Sequence, residues 1–157
     1  MQKSLRYLKW IALALTVAWC LFIWHFSLSN AEQSTATSEP IVESVNQILE
    51  KIDPDLEVTS KEVRKSAHFV DFMGLGALLS LTLYLFGFPH VVPFGLIGVV
   101  LAATVDECLQ FLSPGRAPSV VDVLIDTAGG ACGILGFLLL LWIVLAILRK
   151  KEKKVSK

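Results

Sequence analysis

Residues 120–148 read VVDVLIDTAGGACGILGFLLLLWIVLAIL, and after Asp126 no charged residue appears until Arg149. A helix needs about 20 mainly apolar residues to cross the hydrocarbon of a bilayer, and this stretch exceeds that length. Its only charges, Asp122 and Asp126, lie in the opening turns. Working outward, three more stretches have similar character. Residues 91–112 carry Asp106 and Glu107 in their later part, with the uncharged portion ending at Val105. Residues 66–88 carry His68 and Asp71 near their start, and residues 10–27 contain no Asp, Glu, Lys or Arg. Four spans at about 10–27, 66–88, 91–112 and 120–148 predict an all-α integral membrane four-helix bundle.

The composition agrees. Of 157 residues, 54% are apolar and 18% charged, with a mean hydropathy of +0.64. That much apolar mass excludes a disordered chain and argues against a soluble domain, because too little polar surface remains to cover it. Fourteen basic and fourteen acidic residues leave no net charge. A nucleic-acid partner is therefore not expected, since phosphate recognition needs a basic surplus. The length suits one domain, 1–157.

The first span also admits a signal-peptide reading, with Lys3, Arg6 and Lys9 as the basic region and Ser27 and Ser29 as a small-residue cleavage pattern. Against it, the apolar run is long for such a signal, and Trp24-His25-Phe26 resembles an interfacial aromatic belt. Basic residues set the expected orientation. Three precede the first span, and the tail 149–157 adds Arg149, Lys150, Lys151, Lys153, Lys154 and Lys157. The positive-inside rule then puts both termini in the cytoplasm of a multi-pass cell-membrane protein and segment 27–65 outside.

Within that segment, residues 27–38 read as polar and loose. Ile41, Val42, Val45, Ile48, Leu49 and Ile52 then recur at helical spacing behind Pro40, predicting a short external amphipathic helix that starts near the proline. Thr59 and Glu62 form a capping-box pattern, so the next long helix is expected to start near Ser60. Arg64, Lys65, His68 and Asp71 occupy its first turns, with Arg64 and His68 on one face. Asp106 and Gln110 share a face of the third span beside Glu107. Residues 113–118, SPGRAP, read as a turn, and Ser119 with Asp122 resembles a second capping box, with Asp126 one turn deeper. With alternating spans, every one of these ionisable groups gathers at the outer leaflet.

These residues bear a resemblance. Lys65-x-x-His68-Phe69, Asp106-Glu107-x-x-Gln110-Phe111, Pro114-Gly115-Arg116-x-x-Ser119-x-x-Asp122-Val123 and Gly129 together resemble the VanZ-like family of bacterial membrane proteins, over roughly residues 65–136. Asp71 and Phe72 stand where the family pattern has Glu and Tyr, and Asp126 replaces an Asn. The resemblance implies an association with lowered sensitivity to teicoplanin-like lipoglycopeptides. It supplies a phenotype and no reaction.

Plain structural roles stand beside the functional ones. Glu62 reads only as a cap; Asp122 reads equally as a cap or a site residue. Arg64 and Lys65 can snorkel to headgroups, His68 can be a packed histidine, and Arg116 can simply pair with a carboxylate. Asp106 and Glu107 are harder to dismiss, because the C-terminal end of a helix disfavours anions and a carboxylate in lipid needs a partner, a proton or a metal. Gly129, Gly133 and Gly136 read as a small-residue packing face, as do Gly74 and Gly76. Cys20, Cys108 and Cys132 are scattered, with no metal-binding or disulfide spacing.

The expected catalytic or charge-stabilising set is therefore His68, Asp106, Glu107, Arg116 and Asp122. The expected ligand-binding set is Arg64, Lys65, Asp71, Gln110, Ser119 and Asp126. Three cations against five carboxylates argue for shared protons or a bound divalent cation; no cofactor is identified. The outward N-termini of the second and fourth spans favour a phosphate. A membrane lipid or lipid-linked cell-wall precursor is thus the expected partner. Either a binding protein or an intramembrane enzyme acting on a headgroup fits this pattern, and a purely structural module stays open.

Overall fold

The computed structural model describes residues 2–28, 31–53, 55–113 and 117–155, with side chains described for 7–28, 35–53, 55–113 and 117–151. Five helices follow one another: α1 Gln2–Ser27, α2 Ala31–Leu49, α3 Ser60–Leu85, α4 Val91–Phe111 and α5 Val120–Val155. No strand occurs among the described residues. Four of the helices, all but α2, are long and apolar enough to cross a membrane. Large apolar side chains such as Leu124, Leu135, Leu140 and Trp142 are exposed along α5. In water that would be a liability, whereas in a bilayer it is the normal outer surface.

α3 is the centre of the fold and touches each of the other four helices. Its start follows the sequence pattern closely. The Thr59 hydroxyl accepts from the Glu62 amide, and the Glu62 carboxylate accepts from the Thr59 amide at 2.8 Å, closing a full capping box. Its longest seam is with α5, where glycine lets backbone meet backbone. A Cβ at Gly129 or Gly133 would fall on the carbonyl oxygens of Phe69 or Met73, and one at Gly76 would fall on that of Gly130. In lipid, where helices gain no hydrophobic drive to associate, such close approach supplies the dispersion contacts. Gly136 does not share in it: nothing lies within 4 Å of a Cβ there.

Phe72, Val99, Ala103 and Ile134 fill the centre of the bundle, each at most 1% exposed. Polar clasps lock α1 to its neighbours. Trp19 Nε1 donates to the Asp71 carbonyl at 2.9 Å, and Trp24 Nε1 donates to the Ala102 carbonyl at 3.2 Å. The Thr16 and Thr82 hydroxyls meet at 2.8 Å.

α2 differs from expectation. It begins at Ala31, so the stretch expected to be loose is largely helical and Pro40 lies inside the helix. An interior proline loses its own N–H bond and its ring crowds the carbonyl four residues earlier, a cost that packing of the helix on a neighbour offsets. α2 packs on α3, and the connection is clamped from both sides. Asn46 Nδ2 donates to the Val58 carbonyl at 3.1 Å, and the Val58 amide donates back to Asn46 Oδ1 at 2.8 Å. Its apolar residues also divide. Val42, Val45 and Leu49 are half-buried, while Ile41 and Ile48 are exposed, as is Ile52 beyond the helix end.

Candidate functional site

The C-terminal ends of α1 and α4 and the N-terminal ends of α3 and α5 meet at one end of the bundle, opposite the end where Trp10 of α1 packs on Phe86 beyond α3. Asp106 sits at its middle and is 0% exposed. Its Oδ1 accepts from Ser27 Oγ at 2.5 Å and its Oδ2 from Gln110 Nε2 at 2.9 Å. The second bond follows from the four-residue spacing on α4. Across from it, His68 Nδ1 stands 3.7 Å from Asp106 Oδ2. Asp126, one turn into α5 beyond Asp122, is 2% exposed. Its Oδ2 has no hydrogen-bond partner among the described residues. One ligand atom each from His68, Asp106 and Asp126 fall within 4.8 Å of one another, a donor set able to hold a metal ion.

Glu107, 5% exposed, corrects the second expected capping box. Ser119 Oγ does accept from the Asp122 amide, at 3.4 Å. The return bond is made by Glu107 instead, whose Oε2 accepts from the Ser119 amide at 2.7 Å. The third span thus caps the fourth. Asp122, released from that duty, pairs with Lys65 Nζ at 2.5 Å. A carboxylate at the unfavourable end of α4 is in this way given the favourable end of α5.

Two cavities adjoin these groups. The first, of about 350 Å³, is lined by Lys61, Lys65, Glu107, Gln110, Ser119, Asp122 and Asp126 together with Arg64 and His68. The second, of about 260 Å³, lies among α1, α2 and α3 and is more apolar, with Phe22, Phe26, Ile41 and Val63 in its wall. Arg64 and His68 line this one as well, and Asp71 faces only here. Of the expected site residues, Arg64, Lys65, His68, Glu107, Gln110, Ser119, Asp122 and Asp126 therefore share one cavity, with Asp106 directly behind it. Asp71 is separated into the second. Arg116 lies outside the described residues.

A family model described as VanZ/LLP1 matches residues 12–145, reaching into all four spans and containing every residue that lines the two cavities. The chain belongs to the VanZ/LLP1 family. It is a multi-pass membrane member by its four apolar helices. No curated protein and no solved structure matches it. In this VanZ/LLP1 protein, two contributors to the polar end were not expected from the sequence. Ser27, considered only as part of a cleavage pattern, is fully buried and donates to Asp106. Lys61 lines the larger cavity although it looks like an ordinary first-turn surface lysine. A serine closing an apolar span is a weak signal for the first, and no pattern in the sequence distinguishes the second.

Proposed function

We propose that this VanZ/LLP1 protein binds the phosphorylated headgroup of an envelope lipid, such as a lipid-linked cell-wall precursor, from the outer leaflet. The observation that carries the reading is the pairing of two adjoining cavities of opposite character. The larger has Lys61 and Arg64 on its wall, and among the described residues neither makes an ion pair. The smaller is walled by aromatic and aliphatic side chains. An amphiphile with an anionic head and an apolar tail matches that sequence of surfaces.

Helix N-termini contribute less to this reading than the sequence implied. The start of α3 is closed by Thr59 and Glu62, and the first donors of α5 are taken by Ser119 and Glu107. Phosphate recognition then rests on side-chain cations, with Arg64 suited to a two-point contact. Lowered sensitivity to teicoplanin-like lipoglycopeptides would follow if the protein engages a lipid that those drugs also meet.

Titrating the purified protein with a short-chain polyprenyl diphosphate and with the matching alcohol tests the reading. Only the diphosphate is expected to bind, and Arg64→Gln is expected to weaken it about tenfold or more, as loss of a charge-assisted hydrogen bond would. Equal binding of both compounds would remove the phosphate from the proposal. In a host made less drug-sensitive by the protein, Asp106→Glu and Asp106→Asn at matched membrane levels should lose the effect. Full activity from both would take Asp106 out of the mechanism.

A second reading, an enzyme acting on the headgroup, is favoured by one observation. His68 faces an Asp106 carboxylate that is itself held by Ser27 and Gln110, the arrangement that orients an imidazole for acid–base work. Mass spectrometry of isotopically labelled envelope lipids incubated with the protein separates the two. Conversion that vanishes in His68→Ala would replace binding by catalysis.

A further inference from the structure

We infer that His68, Asp106 and Asp126 form a binding site for one divalent transition cation, Zn²⁺ or Mn²⁺, at the inner wall of the polar cavity. The argument starts from charge. Asp106 and Asp126 are 0% and 2% exposed, and both come within 4.8 Å of the His68 imidazole. Two buried carboxylates so close together in a membrane bundle require compensation, since an unpaired buried ion costs several kcal/mol. Neighbouring cations do not supply it within the cluster. Lys65 is committed to Asp122, and a protonated His68 would offset only one of the two charges. A 2+ ion with neutral imidazole brings the group of three to zero.

Geometry points the same way. Donor atoms sharing a cation at about 2.0–2.2 Å stand at most about 4.4 Å apart, and about 3.3–3.6 Å in a tetrahedral site, so the three side chains close on an ion by drawing in from the present spread. His68 Nδ1 and Asp106 Oδ2 already lie within that span at 3.7 Å. Asp106 has an outer shell of the kind that metal-bound carboxylates use, with Ser27 fixing one oxygen and Gln110 the other. Asp126 supplies the independent observation. Its Oδ2 is buried with no hydrogen-bond partner among the described residues, and the ionised carboxylate, which only accepts, must there meet a donor or a cation.

One nitrogen and two carboxylate donors suit Zn²⁺ or Mn²⁺ better than the all-oxygen preference of Ca²⁺ and Mg²⁺. Three protein ligands also leave a position open, as in metal sites that bind a further molecule. His68 and Asp126 line the cavity while Asp106 lies behind them, so the open position faces the cavity and suits water or an anionic oxygen. The site does not depend on what occupies the cavity, and it stands or falls separately from the lipid reading.

The test uses the metal alone. Full-length protein in detergent, stripped with a chelator and dialysed, is titrated with Mn²⁺ by electron paramagnetic resonance and with Zn²⁺ by competition, in the absence of lipid phosphate. One equivalent is expected to bind saturably. Asp126→Asn, which keeps the shape and removes a charge, and His68→Gln should each weaken binding by at least about tenfold. Gln110→Leu, which releases Asp106 without touching the ligands, should cost about 10- to 100-fold. Helical circular dichroism and gel filtration check that each variant remains folded. Absence of saturable uptake by the wild-type protein would overturn the site, as would uptake unchanged in folded Asp126→Asn and His68→Gln, or selective binding of Mg²⁺ or Ca²⁺.

Discussion

Gly133→Ala isolates the packing on which the polar end depends. A Cβ at Gly133 would fall on the Met73 carbonyl oxygen, 2.8 Å from the Met73 carbonyl carbon and 2.9 Å from the Ala77 amide nitrogen. Non-bonded heavy atoms in comfortable contact stand about 3.5–4.0 Å apart, and the carbonyl oxygen lies nearer than either of these atoms, so α3 and α5 must part locally by more than about 1 Å. Every obstructing atom is backbone, and no rotamer change relieves the overlap. Overpacking of this kind costs about 1–3 kcal/mol. Replacing a helical glycine with alanine also returns about 0.8–1.0 kcal/mol in helix propensity, which would blur the measurement. Gly136→Ala gains the same propensity and meets nothing within 4 Å, so the difference between the two variants removes it. Equilibrium unfolding in mixed micelles with increasing sodium dodecyl sulfate should place Gly133→Ala about 1–3 kcal/mol below Gly136→Ala. The parting should also reach the Lys65–Asp122 pair, which spans the same two helices. A difference below about 0.5 kcal/mol, the scatter of unconstrained surface changes, would refute the close-approach argument.

The same unfolding assay checks three other expectations. Ile134→Ala should destabilise by about 2–5 kcal/mol because the side chain is 1% exposed, whereas Leu135→Ala, on the lipid-facing side, should be near neutral. Thr59→Ala removes the hydroxyl half of the α3 capping box and should cost about 1 kcal/mol, with faster hydrogen exchange at the Glu62 amide. Glu107→Leu strands the Ser119 amide and should cost about 1–3 kcal/mol, while Glu107→Gln, which keeps an acceptor, should recover part of the loss.

Much of this architecture could be read before any coordinates. α3 begins at Ser60 because Thr59 and Glu62 have the right types three residues apart, and that information is wholly local. α4 begins at Val91, the start expected for the third apolar span. α5 continues to Val155, past the apolar run, because nothing in its lysine-rich end breaks a helix. Pro40 misled in the opposite sense. Local rules place proline at a helix start, and only the packing of α2 on α3 and the Asn46–Val58 clamp show why it is tolerated within. At the polar end, residue types and the end of the bundle were legible, but partnerships were not. Ser119 and Asp122 have the spacing of a reciprocal cap, and no local rule reveals that Glu107, twelve residues earlier, takes half of it. Ser27 and Asp106 are 79 residues apart and meet only because α1 and α4 pack together.

Arg64 and His68 stand between two chambers, and each has a single side chain with which to serve both. A guest that draws either group toward one chamber withdraws it from the other. Guests in the two compartments would consequently compete for these side chains, and the linkage is reciprocal: whatever free energy one guest takes from the other's binding, the other takes from it in equal measure.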